Sequence, residues 1–307
     1  MKRQSLTLSL ILLSTSLAHA QSGAEEAFAA AIKDLNDTGL FTVEVGSTHY
    51  QENGDILTAQ NVTYKLDWTI PGSLAKLDDS LSPKTRQSSV TDTESQPPAI
   101  APSDDAHIVV TMTVPTLTAT GMRMELDGVS YDRMTYEGQQ ILVRIDMDGE
   151  DNDLSIKAKA LGKDVMENGF QPFLGEFKVA PSRPIGSVMD YIRPLLLKPV
   201  MGKYTSAGYQ TTQLAGDGTV MEETEMGPLT LTDLQNGKIA SYQIDHQKGE
   251  MLLKDMMAAE ANKEEGSETA LDEIPEKLTY EVGKTTYQGY DIAALLGSLR
   301  PECTQTR

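Results

Sequence analysis

The chain has 307 residues and sets 26 lysines and arginines against 45 aspartates and glutamates, a formal net charge of −19. That balance argues against nucleic acid or anionic lipid headgroups as partners, because phosphate recognition needs clustered basic side chains. The length allows one domain with a real core. Cys303 is the sole cysteine, so no disulfide framework holds the fold, and its place near the end reads as a thiol on a frayed tail.

Residues 1–20 read as an export signal. Lys2 and Arg3 form the positive region, Leu6 to Leu17 the apolar core, and Ala18-His19-Ala20 the small-x-small site with cleavage after Ala20. The apolar run is too short to span a bilayer and no second run follows. The expected address is a bacterial periplasm, without a transmembrane anchor.

Residues 23–38 carry a helical stripe of Phe28, Ala31 or Ile32, and Leu35, ended by Gly39. Asn53-Gly54 then signals a hairpin. Folding there pairs Glu52 with Asp55, Val45 with Val62, Val43 with Tyr64, and Phe41 with Leu66, placing the apolar pairs on one face. The stretch 82–106 is rich in Ser, Thr, Pro and Asp and is expected to be a flexible loop within one domain, 21–307. Turn signals follow at Asp127-Gly128 and Gly216-Asp217-Gly218. Around the acidic turn 146–153, apolar residues alternate on the strand leading into the turn, Ile141, Val143, Ile145 and Met147, and on the strand leading out of it, Leu154, Ile156, Ala158 and Ala160. Asn236-Gly237 repeats the hairpin test, with Gln235 facing Lys238, Leu231 facing Tyr242, and Leu229 facing Ile244. Short helices are expected within 185–201, along 251–261, and after Asp291, which caps the last.

The fold class is therefore mainly β, an antiparallel, hairpin-rich sheet that is either an extended curved sheet or a sandwich, with an N-terminal helix and a few short helices. Three segments ending in Tyr64, Tyr131 and Tyr287 look alike, which fits either a repeated strand unit or plain convergence on good strand formers.

Catalytic constellations are incomplete. Ser73-Leu74-Ala75-Lys76 matches the S-x-x-K of penicillin-recognising hydrolases, but the S-D-N and K-T-G partners are missing. His49, His107 and His246 have no metal-ligand spacing. Asp146, Asp148, Glu150, Asp151 and Asp153 crowd one turn and are weak calcium candidates, although the spacing is not that of an EF-hand. Methionine pairs such as Met122 and Met124, or Met256 and Met257, read as soft core filler rather than copper ligands. Trp68 is the one tryptophan, so a sugar platform is poorly supplied, and no phosphate loop calls for a nucleotide cofactor.

The reading is a non-catalytic envelope protein without cofactor. In its main form it is a β scaffold that binds a protein partner through a sheet edge. The alternative is a β-lined cavity for an apolar ligand such as a lipid, favoured by Ala158, Ala160, Met122, Met124 and Met147. A serine hydrolase using Ser73 and Lys76 is the remote third. Oligomeric state is open.

Overall fold

The computed structural model describes residues 23–70, 106–147, 154–178, 191, 193–194, 196–253, 275–292 and 294. Helix α1 (Gly23–Asp37) forms where the apolar stripe lies, with Glu25 and Glu26 in the first turn where the helix dipole favours acids. Its far end is stitched down. Gly39 takes φ of 75°, Thr38 Oγ1 donates to Leu35 O at 2.6 Å, and the Asn36 amide bonds both backbone groups of Val43. The Asp34 carboxylate accepts the backbone N–H groups of Leu174 and Gly175.

The described strands all belong to one open antiparallel sheet, as expected in class, and it takes the form of a single extended sheet instead of a sandwich. Strands β1 (Phe41–Gln51), β2 (Ile56–Ile70) and β3 (Ala106–Thr120) come first, with β4 (Arg123–Met124) a short spur on β5. Then the strands join in pairs across two-residue gaps. β5 (Gly128–Glu137) runs on into β6 (Gln140–Met147), and β7 (Leu154–Ala160) into β8 (Lys163–Pro172). β9 (Val200–Ser206) continues as β10 (Tyr209–Ala215), and β11 (Val220–Met226) as β12 (Leu229–Gln235). β13 (Lys238–Ile244) leads into β14 (Gln247–Met251), and β15 (Leu278–Val282) into β16 (Thr285–Asp291).

Both halves of each pair face the halves of the next pair, as in β7 with β10 and β8 with β9. Among the described residues, three single strands and six such pairs therefore form a nine-membered up-and-down meander. Each member lies beside its neighbour in the chain, with β1 on one edge and β15–β16 on the other.

The expected registers hold. Val45 faces Val62, Val43 Tyr64 and Phe41 Leu66; Leu229 faces Ile244, Leu231 Tyr242 and Gln235 Lys238; Ile141, Val143 and Ile145 face Ala158, Ile156 and Leu154. Asn236 and Gly237 both take positive φ, as the tight hairpin turn demands.

Strict alternation does not hold. Ala59 and Val62, Val114 and Leu117, and Tyr131 and Met134 are all buried, so the inward face advances by three residues at these points instead of two. The breaks lie in rows across the sheet. Reading the register sideways, the first row runs through Gly46, Asn61, Pro115, Gly138, Leu161, Gly208, Gly227, His246 and Gly283. The second, six residues along most strands, runs through Asp55, Gly121, Asp132, Asn168, Gly202, Asp233, Ala240 and Gly289. Asn61, Gly138 and Gly208 in the first row, and Asp55, Gly121, Asn168, Asp233 and Gly289 in the second, have positive φ. A left-handed residue within a strand turns the following side chains to the other phase and bends the strand.

The core lies where α1 covers the inward face. Ala24, Ala27 and Phe28 pack against Val43, Leu57, Ala59, Val62, Val114, Leu117, Ala119 and Met134. Met122 joins this core, while Met124 is largely exposed. Met251, expected to open a helix along 251–261, instead ends β14 between Glu222 and Leu278, where cross-strand pairing claims it. Leu253 is helical, and 254–261 lie outside the described residues. Residues 191, 193, 194, 196 and 197 are helical, and Asp291 Oδ1 accepts the Ala294 N–H at 2.8 Å as the expected cap.

Candidate binding surface

The inward face continues past α1 to the far edge. From β7 to β16 it presents Ile156, Ala158, Ala160, Met166, Tyr204, Tyr209, Met226, Leu229, Leu231, Tyr242, Ile244, Tyr280, Val282 and Tyr287, with Asp164 and Glu222 its charged members. The opposite face is built from rows such as Glu44, Thr63, Thr113, Gln140, Lys159, Gln210, Glu225, Lys248 and Glu281. One side of the sheet is thus wet and charged, and the other nearly uncharged. A shallow polar depression of about 500 Å³ lies on the wet side between Thr111, Gln140, Lys157, Lys159 and Thr212.

The two charged groups of the inward face have partners. Glu222 accepts from the Tyr280 hydroxyl at 2.9 Å. Asp164, only 2% exposed, accepts at Oδ2 from the Gln139 amide, from Tyr209, and from Tyr204 at 3.0 Å. Tyr204 and Tyr209 lie five residues apart, yet their hydroxyls are 3.2 Å from each other. In an unbroken strand they would point to opposite faces, so the break at Gly208 brings both rings to one side. Burial pushes the Tyr204 hydroxyl up to about 12 and raises that of Tyr209 further, so both stay protonated donors at neutral pH. The arrangement pins three adjacent members of the sheet together at the first row of breaks.

The far edge is the most exposed apolar part. Leu278, Val282, Tyr287 and Tyr290 are each about half exposed and share the inward face of the last member. Tyr242 stacks on Tyr287 at 6.2 Å between ring centroids. The β1 edge differs, for Glu44, Ser47, Thr48, His49 and Gln51 are exposed along it.

The sequence-derived candidates are dispersed. Asp146 is the last residue but one of β6, its carboxylate 3.7 Å from His107 Nδ1, and His107 Nε2 lies 2.7 Å from Asp67. Asp148, Glu150, Asp151 and Asp153 lie outside the described residues, as do Ser73, Lys76, Ala20, Cys303 and all but the last residue of 82–106. Among the described residues, acids, histidines and cysteines form no group able to hold a metal ion, and no helix is long and apolar enough to cross a membrane. The structure adds Gln139, Asp164, Tyr204 and Tyr209, of which strict alternation would set the two tyrosines on opposite faces.

His246 sits in the first row of breaks with its ring over Gly227. Bonds to Asp245 and then Glu225 raise its pKa above the ordinary 6.5, and Lys248 also holds Glu225 at 2.9 Å. Because the folded value is raised, the stabilisation is complete below pH 6.5 and fades as pH climbs through the folded value. NMR titration should place the His246 midpoint above 6.5, and Glu225→Gln should lower it. A midpoint that ignores Glu225→Gln would remove this ion pair from solution.

Comparison with protein-family models, curated proteins and solved structures finds no match in any of them.

Proposed function

We propose that this is a non-catalytic protein of the bacterial cell envelope, exported by residues 1–20, that serves as a β scaffold for a protein partner. The observation that carries the reading is the β15–β16 edge. There an apolar row of Leu278, Val282, Tyr287 and Tyr290 stands exposed on a strand that, among the described residues, has no neighbour on its outer side. Added strands gain affinity from main-chain bonds and specificity from alternate side chains, and this edge supplies both. The polar β1 edge is blunted in the way that discourages pairing.

A photo-crosslinking residue at position 287 should capture protein in intact cells, and one at position 48 on β1 should not. Val282→Lys combined with Tyr287→Lys should abolish the capture. No protein adduct at position 287 would overturn the reading.

One feature favours a second reading, a carrier for an apolar chain. Past α1, the inward face holds a stripe of half-buried aliphatic side chains, Ile141, Val143, Ile145 and Ile156, free of charge. Lipid that co-purifies with the protein and is lost on Val143→Glu would support it.

A further inference from the structure

We propose that the strand which adds to the β15–β16 edge belongs to a second copy of this chain, related by a two-fold axis through Thr286. This rests on the edge reading above and names its partner.

The argument is one of register. Along the last member the inward residues are Leu278, Tyr280, Val282, Thr285, Tyr287 and Tyr290, with Gly283 in the first row of breaks and Gly289 in the second. An antiparallel copy must match inward to inward and break to break, or the face is lost. Centring the pairing on Thr286 does both. Gly283 then meets Gly289 of the second copy, Val282 meets Tyr290, Thr285 meets Tyr287, Lys284 meets Gln288, and Thr286 meets itself. Gly283 and Gly289 are equally spaced about Thr286, so the strand is its own complement.

The backbone supports the same register. Along the second row, from Asp132 to Gly289, positive φ alternates strand by strand: Asn168, Asp233 and Gly289 have it, and Asp132, Gly202 and Ala240 do not. The next strand should therefore lack it opposite Gly289, and Gly283 does. The added copy continues the sheet's own pattern across the new interface.

Between Val282 and Tyr290 the only charged side chain is Lys284, and it meets a glutamine. The next pair outward sets Glu281 against Asp291, two like charges at each end of the pairing that weigh against it, although Lys238 lies 3.6 Å from the Asp291 carboxylate. Tyr287 and Tyr290, 54% and 48% exposed, gain cover from the copy. Pairing of this edge with β1 of another copy would instead set parallel strands against a polar edge and leave the assembly open, whereas the two-fold arrangement closes at a dimer.

The test uses the full chain with Cys303→Ser. Paired positions in an antiparallel sheet lie within disulfide reach, so Thr286→Cys should link to itself under mild oxidation, with most of the protein running as a dimer. Lys284→Cys and Gln288→Cys should each stay unlinked alone and link when the two proteins are mixed. Light scattering of the Cys303→Ser protein should give twice the chain mass. A monomer by light scattering in which Thr286→Cys does not link overturns the proposal, as does a dimer whose cysteines link in another register. If the copy is excluded while position 287 still captures a different protein, self-pairing falls and the edge reading stands. If position 287 captures neither a copy nor another protein, both fall.

Discussion

Gly208→Ala is expected to destabilise the fold by at least about 3 kcal/mol, enough to remove a large part of the stability of an ordinary domain. Gly208 has φ of 108°, beyond the left-handed region that other residues tolerate. A Cβ there would stand 2.2 Å from the backbone oxygen of Met226 and 2.9 Å from the carbonyl carbon of Gly227. Neither atom can retreat without breaking the ladder between β10 and β11. The same change at Gly218 is the control, because its φ is 88° but nothing lies within 4 Å of the added methyl. Gly218→Ala carries the backbone strain alone, about 1–3 kcal/mol. Urea unfolding followed by circular dichroism separates the two, and equal midpoints would show that the break at Gly208 is not held as described.

Alkali should unfold the protein steeply. Burial lifts Tyr64 and Tyr131 to about 12 from 10.0. Above pH 10 the unfolded chain loses these protons while the folded chain keeps them, so stability falls with rising pH until the folded values are passed. The rise at each site comes to roughly 2–3 kcal/mol, or on the order of 5 kcal/mol for the two together by pH 12. Urea midpoints at pH 9 and pH 11.5 should differ accordingly, and tyrosinate absorbance should rise in step with unfolding. Tyr64→Phe and Tyr131→Phe should flatten the pH dependence, whatever each costs in stability at pH 9. A midpoint independent of pH in this range would mean that water reaches both rings.

The hairpins were legible because turn chemistry is local. Asn236-Gly237 needs two positive φ angles, and the pairing outward from it is then forced. The inward face was legible only as far as the nearest break. Alternation counted through Asn61, Pro115 or Gly208 comes out in the wrong phase, which sets Tyr204 and Tyr209, the two tyrosine donors of Asp164, on opposite faces. A signal was present all the same. Gly202 with Gly208, and Gly283 with Gly289, stand six residues apart within runs of good strand formers, and a glycine inside a strand marks a bend or a close approach. The edge site was only half visible. The alternation of Leu278, Tyr280 and Val282 shows in sequence, but that no described strand follows is a property of the whole sheet.

The order of strands in space repeats their order in the chain, and this bears on how the molecule is made. Contacts between sequence neighbours cost little loop-closure entropy, so a meander can grow from its first hairpin one strand at a time. The α1–β1–β2–β3 unit contains most of the aliphatic core and can act as the nucleus before the last strands exist as ordered chain. Each later strand docks on a template already aligned by the rows of breaks, so a register slip is met at the next break instead of being passed along. Substitutions in the first three strands should therefore slow folding, whereas those in the last two pairs should act mainly on unfolding.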